Sequence, residues 1–172
     1  MKYLTLTMTF AAAAHADPIT LTEKPDHVTE AVVTIDAPPD AVYRVVTDYA
    51  NWPSLLGDVM SAHIESGGRD DARLRFRSRA LEHEVTVVFT NIPDQRISFR
   101  GVDGPPGGRA SGTYTLVPID GGTRSLVTAD LYLDVVGVAS WLVRDSRLRK
   151  MRRDKLERDL SDVAAYFAAH RP

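Results

Sequence analysis

Arginine occupies every second position over residues 72–79, and the positions between are apolar up to Ser78. In the run ARLRFRSR, Arg73, Arg75, Arg77 and Arg79 interleave with Ala72, Leu74, Phe76 and Ser78. This is the period-two pattern of a strand with one buried face. A turn at Ala80-Leu81 brings residues 82–89 back as the partner strand. Arg79 then faces Glu82 and Arg77 faces Glu84, while Ser78 meets His83, Phe76 meets Val85, Leu74 meets Val87 and Ala72 meets Phe89. Both faces satisfy the same register, and a slip of one residue destroys both. The sheet therefore has a charged outer face and an apolar inner one. With glutamates opposite them, the four arginines read as a paired, solvated surface and not as a nucleic-acid stripe.

The remaining pattern supplies the other elements. Residues 27–36 alternate as a strand that Ala37-Pro38-Pro39-Asp40 stops. Proline suits the first turn of a helix, so Pro39 to about Tyr49 predicts a short helix with Val42, Val45 and Val46 on one side. Asn51-Trp52-Pro53 breaks it, and Ser54 to Gly57 predicts a further helical turn. Strand-like runs follow near 58–66, 72–79, 82–92, 95–102, 110–118 and 123–134, separated by glycine, proline and aspartate. After about Ser140 the pattern is helical to the end. The prediction is an α+β domain: an antiparallel sheet of about seven strands, two short helices after the first strand, and a long C-terminal helix covering the apolar face.

The long helix departs from a plain apolar cover. Leu156, Leu160, Val163 and Phe167 form a narrow stripe, whose backward extension gives Arg152, Arg149 and Asp145. Eight Lys/Arg lie from Arg144 to Arg158 against three acids. One reading is a solvated charge run. Another has the helix begin packing near Leu148 or Met151. The sharpest has Arg149 and Arg152 at the mouth of a cavity, meeting the polar end of a ligand or a membrane headgroup. A buried arginine needs a partner or a wet opening.

Composition narrows the classes. The chain has 172 residues, 21 Lys+Arg against 23 Asp+Glu, and no cysteine. A net charge of −2 gives no pull toward nucleic acid, and disulfides, thiolate metal sites and cysteine nucleophiles are excluded. Residues 1–16 carry Lys2, an apolar run and Ala14-His15-Ala16, the pattern of a cleaved export signal too short to span a bilayer. The expected organisation is a signal peptide over 1–16, an extension over 17–26 and one domain over 27–170, exported and monomeric.

The run Thr34–Tyr43 (TIDAPPDAVY), followed by Val46–Pro53 (VTDYANWP) and Val59, resembles the opening of the START-like (SRPBCC) superfamily. It is most similar to the polyketide cyclase/dehydrase and coenzyme Q-binding branch, with Tyr43 standing where tryptophan is usual. Gly112–Pro118 (GTYTLVP) with Gly121–Arg124 (GGTR) resembles the penultimate hairpin, and Trp141–Arg144 (WLVR) the start of the last helix. The likeness covers about residues 27–169. It implies a helix-grip fold, in which a curved sheet wraps the C-terminal helix around an apolar cavity.

Inner-face parity nominates Leu74, Phe76, His83, Val85, Val87, Phe89, Ile97, Phe99, Tyr114 and Leu116 as ligand contacts, joined by Tyr43, Trp52, Arg149 and Arg152. His27, His63, His83 and His170 are scattered without metal spacing, so neither a metal nor a cofactor is expected. His83 beside Ser78, and Tyr114, are the acid–base candidates, while Trp52 is a lid or packing residue. The expected function is binding of a hydrophobic small molecule, with possible peripheral membrane contact. The alternative is a cyclase or dehydratase using the same cavity, which needs a convergent acid–base pair.

Overall fold

A computed structural model describes residues 17–79, 83–137 and 143–170. The proposed signal, residues 1–16, lies outside the described residues. Eight antiparallel strands form one sheet: β1 (Thr20–Lys24), β2 (Val28–Ile35), β3 (Val59–Ser66), β4 (Arg73–Ser78), β5 (Val85–Phe89), β6 (Arg96–Asp103), β7 (Gly108–Ile119) and β8 (Arg124–Val135). Their order is β1-β2-β8-β7-β6-β5-β4-β3. Between β2 and β3 lie α1 (Pro39–Val46), a 3-10 turn (Tyr49–Asn51) and α2 (Trp52–Leu55). The long helix α3 spans Asp145–Ala169. Pro39 opens α1 as expected, and α3 packs across β2 and β8.

The register read from the alternation holds where the strands pair: Leu74 faces Val87 and Phe76 faces Val85, and the Phe89 amide donates to the Ala72 carbonyl. The pairing ends at Phe76 and Val85. Ser78 is buried opposite Val59 of β3, while His83 lies exposed beyond the strand. This corrects the placement of His83 on the inner face. The outer-face arginines also find a partner on the other side. Arg73 and Arg75, for which the alternation named no partner, are both held by Glu65 of β3, at 2.8 Å and 2.7 Å from their Nε atoms, while the turn at Ala80-Leu81 and Glu82, the expected partner of Arg79, lie outside the described residues.

One strand more is present than the pattern predicts. Residues 20–24 pair with β2 from Thr20–Val32 to Lys24–Val28. The run TLTEK is an edge strand with mostly exposed side chains, so it shows little hydrophobic alternation. Ion pairs attach it: Lys24 to Glu30 and Asp130, and Glu23 to Arg152 and Arg153 of α3. At the turn into β2, Asp26 and His27 both take φ of 60°. There His27 Nδ1 lies 3.2 Å from Asp145 at the start of α3.

Candidate functional site

The concave face is graded in burial along its strands. Toward α1 it is sealed: Ala31, Val33, Leu116, Val127 and Ala129 are buried. Toward the other end the same face is only half-buried at Val85, Phe99, Ala110, Gly112, Tyr114 and Leu133. Cross-strand pairing places these together, Phe99 opposite Gly112, Gly112 opposite Leu131, and Ala110 opposite Leu133. A Cβ built on Gly112 would stand 2.4 Å from a Phe99 ring carbon, so the ring lies directly over the glycine. The small residues Gly112 under Phe99 and Ala110 beside Leu133 contribute little apolar volume to this end of the face.

The nominated residues divide accordingly. Leu74, Phe76, Val87, Phe89, Ile97 and Leu116 are buried in the core, whereas Val85, Phe99 and Tyr114 keep half-buried inner surface. Trp52 packs edge-on against Tyr49, Phe76 and Phe89, with its Nε1 donating to the Val46 carbonyl at 2.8 Å. This is a packing role. Tyr43 is buried, and its hydroxyl donates to Asp70 Oδ1 at 2.5 Å. Burial, and then the Asp70 carboxylate, hold its pKa well above the ordinary tyrosine value.

The helix carries the largest correction. Arg149 is exposed and pairs with Asp145 at 2.8 Å, one turn back on the same helix. Arg152 does point inward, yet it is 2 % exposed and fully engaged. Its Nε donates to Thr29 Oγ1 at 3.0 Å, Nη1 to the Leu133 carbonyl at 3.1 Å, and Nη2 to Glu23 at 3.4 Å. The buried stripe runs Leu148, Arg152, Leu156, Leu160 and Val163. Packing thus starts at Leu148, one of the two starting points that the sequence allows. Most of the basic run is paired along or beside the helix, as at Lys150–Asp154, Lys155–Asp159 and Arg158–Asp58.

Sequence reasoning missed two polar groups. The first is a network around the 67–71 loop: Tyr49 Oη donates to the Arg69 carbonyl at 3.2 Å, and Asn91 Nδ2 donates to both Tyr49 Oη and that carbonyl at 2.8 Å. The second is Asp159, which lies beside the Leu156–Leu160 stripe, is buried, and accepts from Lys155 Nζ at 2.8 and 2.6 Å. Burial raises the pKa of Asp159, with Lys155 opposing that shift. Its charge reaches Tyr114 across the interface. Tyr114 keeps accessible surface although protein surrounds it deeply enough for desolvation to be the first cause of its strongly raised pKa; the Asp159 charge is the second. Beside Asp159, Asp58 is buried, with Oδ1 on Arg158 at 2.9 Å. Among the described residues no cluster of His, Cys, Asp or Glu has the geometry to hold a metal.

Comparison with known proteins gives a consistent result. Residues 26–168 match the family profile described as polyketide cyclase / dehydrase and lipid transport. The granaticin polyketide synthase bifunctional cyclase/dehydratase of Streptomyces violaceoruber is 28 % identical over 118 residues, 65 % of this chain and 36 % of that protein. The chain thus spans a little over a third of that relative's length. A START superfamily protein from Mycobacterium smegmatis superposes with a TM-score of 0.70 at 16 % identity, covering 83 % of this chain and 98 % of the other. The Zhui aromatase/cyclase of a Streptomyces species gives a TM-score of 0.64 at 18 % identity over 83 % of this chain and 91 % of that one. These two likenesses establish the helix-grip fold that the opening motif implied.

Proposed function

We propose that this chain, which belongs to the polyketide cyclase / dehydrase and lipid transport family, acts as an exported carrier or sensor that holds a hydrophobic small molecule between its sheet and α3. The observation that carries the reading is the graded burial of the concave face. One inner surface is sealed near α1 but half-buried over Val85, Phe99, Ala110 and Leu133. Apolar side chains left reachable beneath a covering helix are the lining an apolar ligand needs. Export rests on Lys2, the apolar run and Ala14-His15-Ala16.

The test uses a neutral apolar fluorophore, N-phenyl-1-naphthylamine, with the full chain. Ala110→Phe fills the half-buried end with carbon and leaves the sealed core untouched. Fluorophore binding should disappear while the melting temperature is kept, and Ala110→Ser should bind as wild type. Unchanged binding by a folded Ala110→Phe protein overturns the site. Intact mass of protein from its native source tests export, a start at Asp17 being the expected result. Mass spectrometry of the molecule that copurifies identifies the natural ligand.

A second reading is favoured by one observation. Asp159 and Tyr114 place a carboxyl group and a phenol at the same interface, and the similar Streptomyces violaceoruber protein is a cyclase/dehydratase by name. His83 is exposed and drops out of this version. Turnover of a poly-β-ketone by wild type, lost in Asp159→Asn, would favour the enzyme over the carrier.

A further inference from the structure

The turn joining β1 to β2 holds a side chain where the backbone favours none. The Val28 amide donates to the Pro25 carbonyl at 3.4 Å, and the two residues between, Asp26 and His27, both take φ of 60°. Asp-Gly and Asn-Gly are the usual pairs for such a turn, so Asp26 suits its place and His27 stands where glycine is expected. The imidazole reaches α3: its Nδ1 lies 3.2 Å from Asp145 Oδ1 in the first helical turn. A carboxylate only accepts, so Nδ1–H is the donor. This contact meets a part of the helix with few other holds. Arg152 fixes α3 to the Leu133 carbonyl, and the two turns before it, Asp145–Met151, run on for about 10 Å. Leu148 is the buried residue in those turns, and their other ion pairs, Arg149–Asp145 and Lys150–Asp154, stay within the helix. Among the described residues, His27–Asp145 is therefore the one polar side-chain contact between these turns and the rest of the protein. Val28 pairs with Tyr132, and Leu133 beside it pairs with Ala110, so the contact stands at the half-buried end of the concave face.

Protonation sets the strength of that contact. Imidazole is the side chain whose charge changes between about pH 5 and 8. The ionisable groups around His27 are Asp26 in its own turn, Lys24 of β1 on Glu30 and Asp130, and Tyr132 of β8 on Asp134. From α3 come Asp145 with its second partner Arg149, and Arg144 at the helix start. Arg149, and after it His27, hold the Asp145 carboxyl below the usual carboxylate range, so Asp145 stays charged across this window. Protonated His27 then donates a charge-assisted bond, whereas neutral His27 keeps the bond and loses the charge. We propose that His27 and Asp145 form a latch that tightens on acidification, holding the first two turns of α3 at the half-buried end of the concave face and slowing ligand exchange there. The inference rests on the binding function proposed above and adds its regulation.

Hydrogen exchange of the Leu148–Arg152 amides in the full chain, corrected for its intrinsic pH dependence, reads the opening of these turns. Protection in wild type relative to His27→Gln should be about threefold higher at pH 5.5 than at pH 8, a size that an exposed ion pair supports. On an Asp145→Asn background the same ratio should not change with pH. His27→Gly relaxes the turn, so it should melt no lower than wild type at pH 8 and still lose the pH effect, which separates the latch from the hairpin. Release of N-phenyl-1-naphthylamine, again taken relative to His27→Gln, should be about threefold slower at pH 5.5 than at pH 8. A protection ratio that is the same at both pH values overturns the latch while leaving the carrier function standing. Release that ignores pH while protection follows it overturns the control of exchange. If wild type binds no fluorophore, the binding function falls and the amides alone decide the latch.

Discussion

Arg152 Nε donates to Thr29 Oγ1 at 3.0 Å, joining α3 to β2 across 123 residues of sequence. Thr29 in turn donates to Glu23 of β1, at 3.0 Å, and Glu23 is also the ion partner of Arg152. One buried guanidinium therefore ties the edge strand, the second strand and the Leu133 carbonyl of β8 to the covering helix. Three donated bonds make its burial tolerable, and its removal leaves acceptors unmet.

Replacing Arg152 by methionine keeps the aliphatic stem and removes these bonds. The loss should be about 2–3 kcal/mol of unfolding free energy, since bonds from a charged donor are among the stronger ones and Glu23 regains water. Arg149→Ala, by contrast, removes an exposed pair within one helix and should cost under about 1 kcal/mol. Urea titration of both variants measures the difference. Equal effects would contradict the placement of Arg152 inside and Arg149 outside.

Alkaline stability follows from the tyrosines. Burial pushes Tyr49 up to about 12 from 10.0, and it raises Tyr43 and Tyr114 further. Because the folded chain holds these protons more tightly than the unfolded chain, their contribution is fully present below pH 10. It is lost as pH rises toward and past the folded values. Absorbance at 295 nm should thus show three tyrosines resisting ionisation at pH 11 until the fold opens, and a single normal titration of all six near pH 10 would refute it.

What the sequence reveals depends on how strongly one face is buried. Over β4 and β5 the alternation is strict because one side is core and the other water, so the pairing of Leu74 with Val87 could be read directly. Beyond Phe76 the ladder ends, and His83 has no sheet to hold it inward. The run 20–24 escaped notice because an edge strand with little burial has no reason to alternate. Asp159 escaped for a different reason. It sits next to Leu160 on the buried side of α3, where a single carboxylate among many charged neighbours looks solvated. The Tyr49–Asn91–Arg69 network joins residues up to 42 apart, which no local pattern encodes.

Asp159 gives an acid-side prediction. Its folded pKa is raised from 3.8 by burial, with Lys155 acting the other way. The folded chain then binds a proton that the unfolded chain releases, so stability falls as pH rises from about 3.8 through the folded value. Asp159→Asn abolishes this slope. Wild type should gain stability relative to the variant as pH is lowered toward 4, and thermal melts of both proteins at pH 4, 5.5 and 7 will read it. A wild-type advantage that grows as pH rises would reverse the sign and show the ion pair with Lys155 to outweigh desolvation.

Gly112 tests how the half-buried end of the concave face is packed. A Cβ there meets Phe99 Cε1 at 2.4 Å and Cζ at 2.7 Å, and the Asp130 carbonyl oxygen at 2.9 Å. The carbonyl belongs to the neighbouring strand and cannot turn aside. The ring can, toward the half-buried surface on its far side. Gly112→Ala should therefore cost about 1–3 kcal/mol, the usual range for overpacking. Phe99→Leu introduced with it removes the ring conflict but not the carbonyl one, so the double variant should recover part of that loss and not all. Chemical denaturation of the two single variants and the double gives the coupling energy. Simple additivity would mean that the ring does not lie on Gly112, and that the half-buried end of the concave face is shaped by some other pair.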